Sequence, residues 1–370
     1  MKAIIAGGGI GGLAAALALV RHGWDVEVLE RAPAFAEVGA GLSLWPNGLR
    51  ALDALGVGAQ VRGRARLEGQ AGIQDAAGRW ISRTDTAALE RRFGPVAMIH
   101  RADLLEVLRG AVPADSLRHG VTVRHVSSAG TVAHSGGESR ADLIVGADGI
   151  RSVVRASIWP DAAAPRYAGY TAWRLVTPPV QVDGTALADT VESWGSGERF
   201  GYSPLPDGRV YCFAVANARE GDPGQGLTGL RARFSGWHRP IPALLDAAAP
   251  DAVLHDDLYE LPPLRTYTAG QVVLVGDAAH AMTPNLGQGA CQALEDAVVL
   301  AASLDGPGGL AAYDRARRRR TQMITLRSHR IGVAAQWESP VAVRLRNTAL
   351  RLLPDSSFIR SLAPVLDWAP

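Results

Sequence analysis

Three glycines and one acid set the first chemical expectation. Gly7-x-Gly9-x-x-Gly12 follows the apolar run Ala3-Ile-Ile-Ala6, and Glu30 closes the alternating run Val26-Glu-Val28-Leu-Glu30. Gly7 permits a tight turn, Gly9 lets the backbone approach a pyrophosphate, and Gly12 lets a helix pack closely on strands. The anion would rest at the N-terminus of that helix, where unpaired N–H groups and the dipole favour negative charge. A carboxylate at the end of the second strand suits ribose hydroxyls. Strand, glycines, helix, strand and terminal acid, in that order, predict a βαβ dinucleotide site.

The same opening, one lysine before a small apolar stretch, has the outline of an export signal. Glycines at 7, 8, 9, 11 and 12 interrupt it, and it runs on into the charged alternating segment Asp25 to Glu30. The unbroken part, Leu13 to Val20, is too short to span a bilayer. A cytoplasmic protein without membrane insertion is expected.

Composition removes several other classes. A net charge of +2 gives no nucleic-acid footprint, and 47% hydrophobic with 20% charged residues excludes disorder. Cys212 and Cys291 have no metal-ligand spacing and read as reduced, buried thiols; no metal is expected. Lys2 is the only lysine and belongs to the first strand, which removes Schiff-base chemistry.

The elements that must position this chemistry alternate along the chain. Val38 to Asn47 reads as a glycine-rich loop before a helix around Gly48 to Leu55, and Gly69 to Phe93 as strands and turns. Ile99 to Leu108 predicts a helix with Leu104, Leu105 and Leu108 buried. Val121 to Val126, Thr131 to His134 and Asp142 to Val145 predict strands. From Tyr167 to Thr266 short alternating strands take over, with one helix from Leu227 to Trp237. Val272 to Val275 returns to the buried-strand pattern, before a helix from Gly289 to Leu304 and a helical remainder. The run Arg315 to Arg320 reads as a solvated helix face. Strand-glycine signals near Gly7, Gly146 and Gly276 should converge on one ligand.

Three motifs in order carry a family resemblance: the Gly7 to Gly12 turn, Gly146-Ala-Asp148-Gly149-Ile-Arg151-Ser-x-x-Arg155, and Gly276-Asp277-Ala-Ala-His280. The last continues as Pro284-Asn-Leu-Gly287-Gln-Gly289-Ala-Cys-Gln-Ala-Leu-Glu295-Asp296. Nearly the whole chain resembles the class A flavoprotein monooxygenases, the family of p-hydroxybenzoate and salicylate hydroxylases. The stretch Arg166 to Arg174 is closest to the subgroup with urate hydroxylase, 3-hydroxybenzoate 6-hydroxylase and zeaxanthin epoxidase.

The resemblance implies an α/β fold: a Rossmann-like FAD-binding domain (1–75, 97–165 and 266–330) interrupted by a β-sheet substrate domain (76–96 and 166–265), with a C-terminal helical segment (331–370). It implies FAD as cofactor, NADH or NADPH as transient donor, O2, and hydroxylation of a small aromatic or heteroaromatic substrate through a flavin C4a-hydroperoxide. The protein would be a monomer or homodimer. Matching cofactor positions are Gly7, Gly9, Gly11, Gly12, Glu30, Arg31, Gly41, Ser43, Arg101, Val126, Asp148, Asp277, Gly287, Gly289 and Ala290. Asp277 would meet the ribityl chain, Val126 the adenine, and Gly287 to Ala290 the flavin N1–C2=O edge. The loop Val38-Gly39-Ala40-Gly41 would supply mobility. Arg199, Tyr211 and Pro284 would position substrate.

Plainer alternatives stand beside these. Asp277 can be a helix N-cap, Arg101 a surface arginine, and Arg199 and Tyr211 packing residues. Epoxidation or Baeyer–Villiger insertion in natural-product tailoring, and non-catalytic FAD binding, are the other functions considered. A flavin halogenase would need a tunnel lysine, which this chain lacks.

Overall fold

Short apolar runs cannot be stable alone, and here they pair in parallel. The computed structural model describes residues 1–34, 40–67, 69–182 and 184–370. Its first sheet has six strands, in the order Thr268–Ala269, Val272–Leu274, Leu143–Gly146, Lys2–Ala6, Asp25–Glu30 and Leu117–His119. Ile4 stands opposite Ile144 on one side and Glu27 on the other, and Ile144 opposite Val272. The three strand-glycine signals therefore end side by side at one edge of the sheet. This follows the rule that ligands of open α/β sheets bind beyond the carboxyl ends of the strands.

The helix Ile10–Arg21 is apolar because it is buried. Helix Gly289–Asp305 packs on it so closely that a Cβ on Gly11 would lie 3.4 Å from Ala293 Cβ. Among the described residues no helix is long and apolar enough to cross a membrane.

The second sheet has seven strands, in the order Leu254–Glu260, Arg166–Thr177, Val210–Asn217, Glu198–Pro204, Thr190–Trp194, Ala71–Asp75 and Trp80–Thr84. One face carries Trp173, Leu175, Phe200, Tyr202 and Cys212 into a core with helices Gly226–Phe234 and Ile241–Ala247. Strand period two leaves Arg174, Arg199, Ser203, Tyr211 and Phe213 on the other face.

Several local readings change. Gly41–Leu44, expected as loop, is a strand, because Ala97–His100 offers it a partner with Ser43 opposite Met98. The segment before Phe93 is not all strand and turn: Thr86–Phe93 is a helix, N-capped by Asp85, whose carboxylate accepts from Ala88 N. The helix expected from Ile99 starts at Arg101. Ala71–Asp75, placed by sequence in the nucleotide domain up to residue 75, hydrogen-bonds in the seven-stranded sheet through Thr190–Trp194. The run Arg315 to Arg320 is a solvated face only in part: Arg315 and Arg319 are exposed, but one member is not. Arg317 is 1% exposed, because helix Gly309–Ala335 turns it inward onto two buried acids.

Candidate active site

The glycine turn is built by contact. A Cβ on Gly12 would fall 1.9 Å from the Gly7 carbonyl oxygen, and Gly7 itself sits at φ 104° with Ala147 O against it. Gly9 differs: a Cβ there would meet nothing within 4 Å. That open side faces a crevice of about 200 Å³ lined by Gly8, Gly9, Glu30, Ala32, Leu105 and Arg109. Glu30 accepts from Gly8 N at 2.7 Å and from Ala32 N at 2.8 Å. A carboxylate has about four lone-pair sites, so two remain for hydroxyls.

The other sequence candidates lie outside the wall of this crevice, on several elements. Asp277 opens the turn Asp277–His280 and is exposed; its side chain caps nothing, the N-cap being Gly276. Asp148 does the opposite. Its oxygens accept from Ser152 Oγ (2.5 Å), Val153 N (2.7 Å) and Val154 N (3.1 Å), at the start of helix Val153–Ile158, whose N-cap is Ser152. Arg155 then reaches across to Ala278 O at 2.9 Å, tying the second motif to the third. Arg31 is exposed just past Glu30. Arg101 begins its helix with its N–H on Ala40 O (2.9 Å). Val126 is buried at a strand end and donates its N–H to Ser157 Oγ at 3.3 Å. Val38 and Gly39 lie outside the described residues, so the expected mobile loop is described only from Ala40 onward.

Pro284 opens a single 3₁₀ turn, Pro284–Leu286, that leads to Gly287 and to Gly289 and Ala290 at the start of the long helix. Gly287 is needed: a Cβ there would lie 2.9 Å from Trp45 Nε1. At Gly289 a Cβ would meet nothing within 4 Å, the same open approach as at Gly9. The turn is fixed to the second sheet by Asn285 Nδ2, which donates to Tyr170 OH at 3.0 Å and to Ser328 O at 3.0 Å.

Arg199 and Tyr211 do share a sheet face. Arg199 stands opposite Val215 and Tyr211 opposite Ser203, so the two positions are four residues apart along the strands, about 13 Å. Tyr211 packs so tightly on Gly41 that a Cβ there would lie 2.4 Å from its Cγ. Burial pushes the Tyr211 hydroxyl up to about 12 against the opposing pull of Arg174, so it remains a donor at neutral pH. Arg199 is 3% exposed, donates to Gln336 Oε1 at 2.8 Å and to Glu192 Oε1 at 3.1 Å, and lies 5.7 Å from the Tyr170 ring centre. Its charge is answered within the protein.

Sequence reasoning missed a buried polar network behind the Pro284 to Ala290 turn. Arg317 Nε donates to Asp296 at 2.6 Å and Nη1 to Glu295 at 2.5 Å. Asp296 accepts from His280 at 2.6 Å and from Gly276 N at 2.8 Å. Asn47 bridges Glu295 (2.6 Å) and Gln288 (2.9 Å). Burial works to raise the Asp296 carboxyl, but His280 and Arg317 outweigh it and hold it at about 2. Through Gly276 N and Gln288 the network fixes both the Asp277 turn and the start of helix Gly289–Asp305. The two acids inside an otherwise apolar helix were the available signal.

A glycine cradle open at Gly9 and Gly289, an uncapped acid at Asp277 and a half-engaged one at Glu30 fit a flavin dinucleotide: Glu30 and Gly9 for its ribose and pyrophosphate, Asp277 for its ribityl chain, Gly287 to Ala290 for its ring edge. Comparisons agree. Residues 1–166 and 263–328 match the family described as FAD binding domain. The chain is similar to the aurachin C monooxygenase/isomerase of Stigmatella aurantiaca, 41% identical across 95% of this chain and 94% of that protein. It is also similar to the 2-heptyl-3-hydroxy-4(1H)-quinolone synthase of Pseudomonas aeruginosa, 35% identical across 96% and 95%. Among solved structures, Klebsiella pneumoniae HpxO complexed with FAD and uric acid matches with a TM-score of 0.90 at 28% identity, covering 100% of this chain and 97% of that one.

Proposed function

Because the chain belongs to the class A flavoprotein monooxygenases, FAD-dependent enzymes that take electrons from NAD(P)H, we propose that it oxygenates an uncharged, carbonyl-bearing heteroaromatic ring of the 4-quinolone kind. One observation carries the choice: the buried cation on the substrate-facing sheet, Arg199, is already matched by Glu192 at 3.1 Å and Gln336 at 2.8 Å. An anionic ring placed there would compete with a built-in carboxylate, and the two like charges repel. A neutral ring pays no such penalty. Tyr211, kept protonated by burial, offers its hydroxyl to a ring carbonyl. The quinolone named in the Pseudomonas relative supports the same ring class.

FAD held there would supply the activation of O2, with NAD(P)H as the electron donor. This chain's own residues do the rest. Gly9, Glu30 and Asp277 would hold the cofactor, and the helix N-terminus that follows the Pro284 to Ala290 loop would favour negative charge on a group bound there. Tyr211 and Ser203 orient the substrate ring, while the sheet face and Trp45 keep water out. With NAD(P)H as donor, the reading places the protein in the cytoplasm.

The test is NAD(P)H consumption by purified holoenzyme with 4(1H)-quinolone, 3-hydroxybenzoate or urate, with the products resolved by mass and NMR. The quinolone should gain one oxygen per NAD(P)H, and the two anions should stimulate little coupled turnover. NMR separates ring hydroxylation from epoxidation or ring insertion. Coupled turnover of 3-hydroxybenzoate without any of the quinolone sinks the reading.

A further inference from the structure

Helix Pro340–Leu352 turns its polar residues inward and its apolar residues outward. On the inner side Arg346 and Asn347 are buried. The Arg346 guanidinium donates to Ala335 O at 2.8 Å and to Gly195 O at 3.0 Å, and lies 5.1 Å from the centre of the Trp194 ring. On the outer side Val341, Leu345 and Leu352 are 69%, 65% and 77% exposed. With exposed Thr348 they recur at helical spacing and form one row along the helix. Single surface leucines need no explanation. A row of them, on a helix whose polar residues are spent inside, marks a face that something covers.

The charges beside the row say what kind of partner fits. The helix has three arginines and no acid. Arg346 faces inward, and Arg351 donates to Asp75 at 3.2 Å. Arg344 is exposed and has no hydrogen-bond or ion-pair partner among the described residues. In the turn before the helix, Glu338 already accepts from Asn217 Nδ2 at 2.7 Å. A two-fold pairing of this face with a second copy would set its arginines against the same arginines, with no acid on the helix to answer them. Anionic lipid headgroups do answer them, at about fivefold in binding per arginine. Trp337, 40% exposed in that same turn, is a residue type that favours the headgroup layer.

We infer that this helix docks the protein on an anionic membrane surface, lying in the plane of the headgroups with Val341, Leu345 and Leu352 toward the acyl chains. Its 13 residues fall short of the roughly 20 needed to span a bilayer. A single apolar face needs only shallow burial, so the attachment is peripheral and reversible.

The test is sedimentation of purified holoenzyme with phosphatidylcholine vesicles, with and without phosphatidylglycerol. The protein should pellet with the phosphatidylglycerol vesicles, stay largely in solution with phosphatidylcholine alone, and be released by added salt. Leu345→Ser should weaken binding about tenfold and Arg344→Gln about fivefold. Both positions are exposed, so flavin content and NAD(P)H oxidation without vesicles should match wild type. No pelleting with either vesicle, or pelleting that Leu345→Ser leaves unchanged, overturns the inference. Equal pelleting with both vesicle types, or an Arg344→Gln protein that binds as wild type does, overturns its anionic part. A dimer that Leu345→Ser dissociates, in a protein that ignores vesicles, overturns it in favour of a contact between copies.

Discussion

Arg199 is a cation whose partners come from far along the chain. Glu192 is 7 residues away and Gln336 is 137. Sequence spacing showed that Arg199 and Tyr211 could share a hairpin face, and they do; it could not show that Glu192, from the next strand, and Gln336, from a helix end, would take the guanidinium's donors. The glycine turn was legible for the opposite reason: Gly7, Gly9, Gly12 and Glu30 are fixed by geometry local to one βαβ unit. The ion pair makes a residue-level prediction. Glu192→Gln should leave Arg199 uncompensated and shift preference toward anions, tightening 3-hydroxybenzoate by about tenfold or more, the scale of one charge-assisted hydrogen bond. Glu192 is partly exposed, 27%, so some of that gain is screened. Titrating the variant holoenzyme with both ring types checks it, and an unchanged preference would show that Arg199 does not face the ligand.

At the level of elements, the two long helices Gly289–Asp305 and Gly309–Ala335 are joined by charges rather than by apolar packing alone. Arg317, Thr321, Ile324 and Ser328 recur at helical spacing and are all buried. That stripe was present in the sequence, but its polar members disguise it within a basic run. Arg317→Met should expose the cost of the arrangement. Two buried carboxylates lose their common partner, a loss worth about 3–5 kcal/mol, read as a lower Tm and loose FAD. Acid acts on the same contact. Asp296 is held at about 2, below its ordinary 3.8, so its contribution is complete above 3.8 and is lost as pH falls through that interval toward 2. Denaturation free energies measured across that range should fall with acid in wild type and fall less steeply in Asp296→Asn.

Across the whole molecule, the parallel sheet joins segments that the chain delivers far apart. Lys2–Ala6 is central, Leu143–Gly146 is its neighbour, and Val272–Leu274 comes next, before the short antiparallel edge strand Thr268–Ala269. The strand-glycine pattern announced each of the three, whereas the second sheet's use of Ala71–Asp75 and Trp80–Thr84 was hidden, since nothing in a five-residue strand names its partner. A fragment ending at residue 262 should therefore fail to retain FAD on gel filtration, although it holds the glycine turn and Glu30, and adding the piece 263–370 should restore retention. Flavin bound by the first fragment alone would show that Asp277 and the Gly289 helix are dispensable.

That strand order also acts as a clock. The last strand of the cradle leaves the ribosome about 270 residues after the first, an interval of roughly 13–54 s at about 5–20 residues per second. Throughout that time the nascent chain carries a pyrophosphate turn with nothing opposite it and an open sheet edge able to pair with other chains. Loading with flavin is thus an event of the finished polypeptide. A cell that translates this message faster than it supplies FAD will accumulate colourless, association-prone apoprotein.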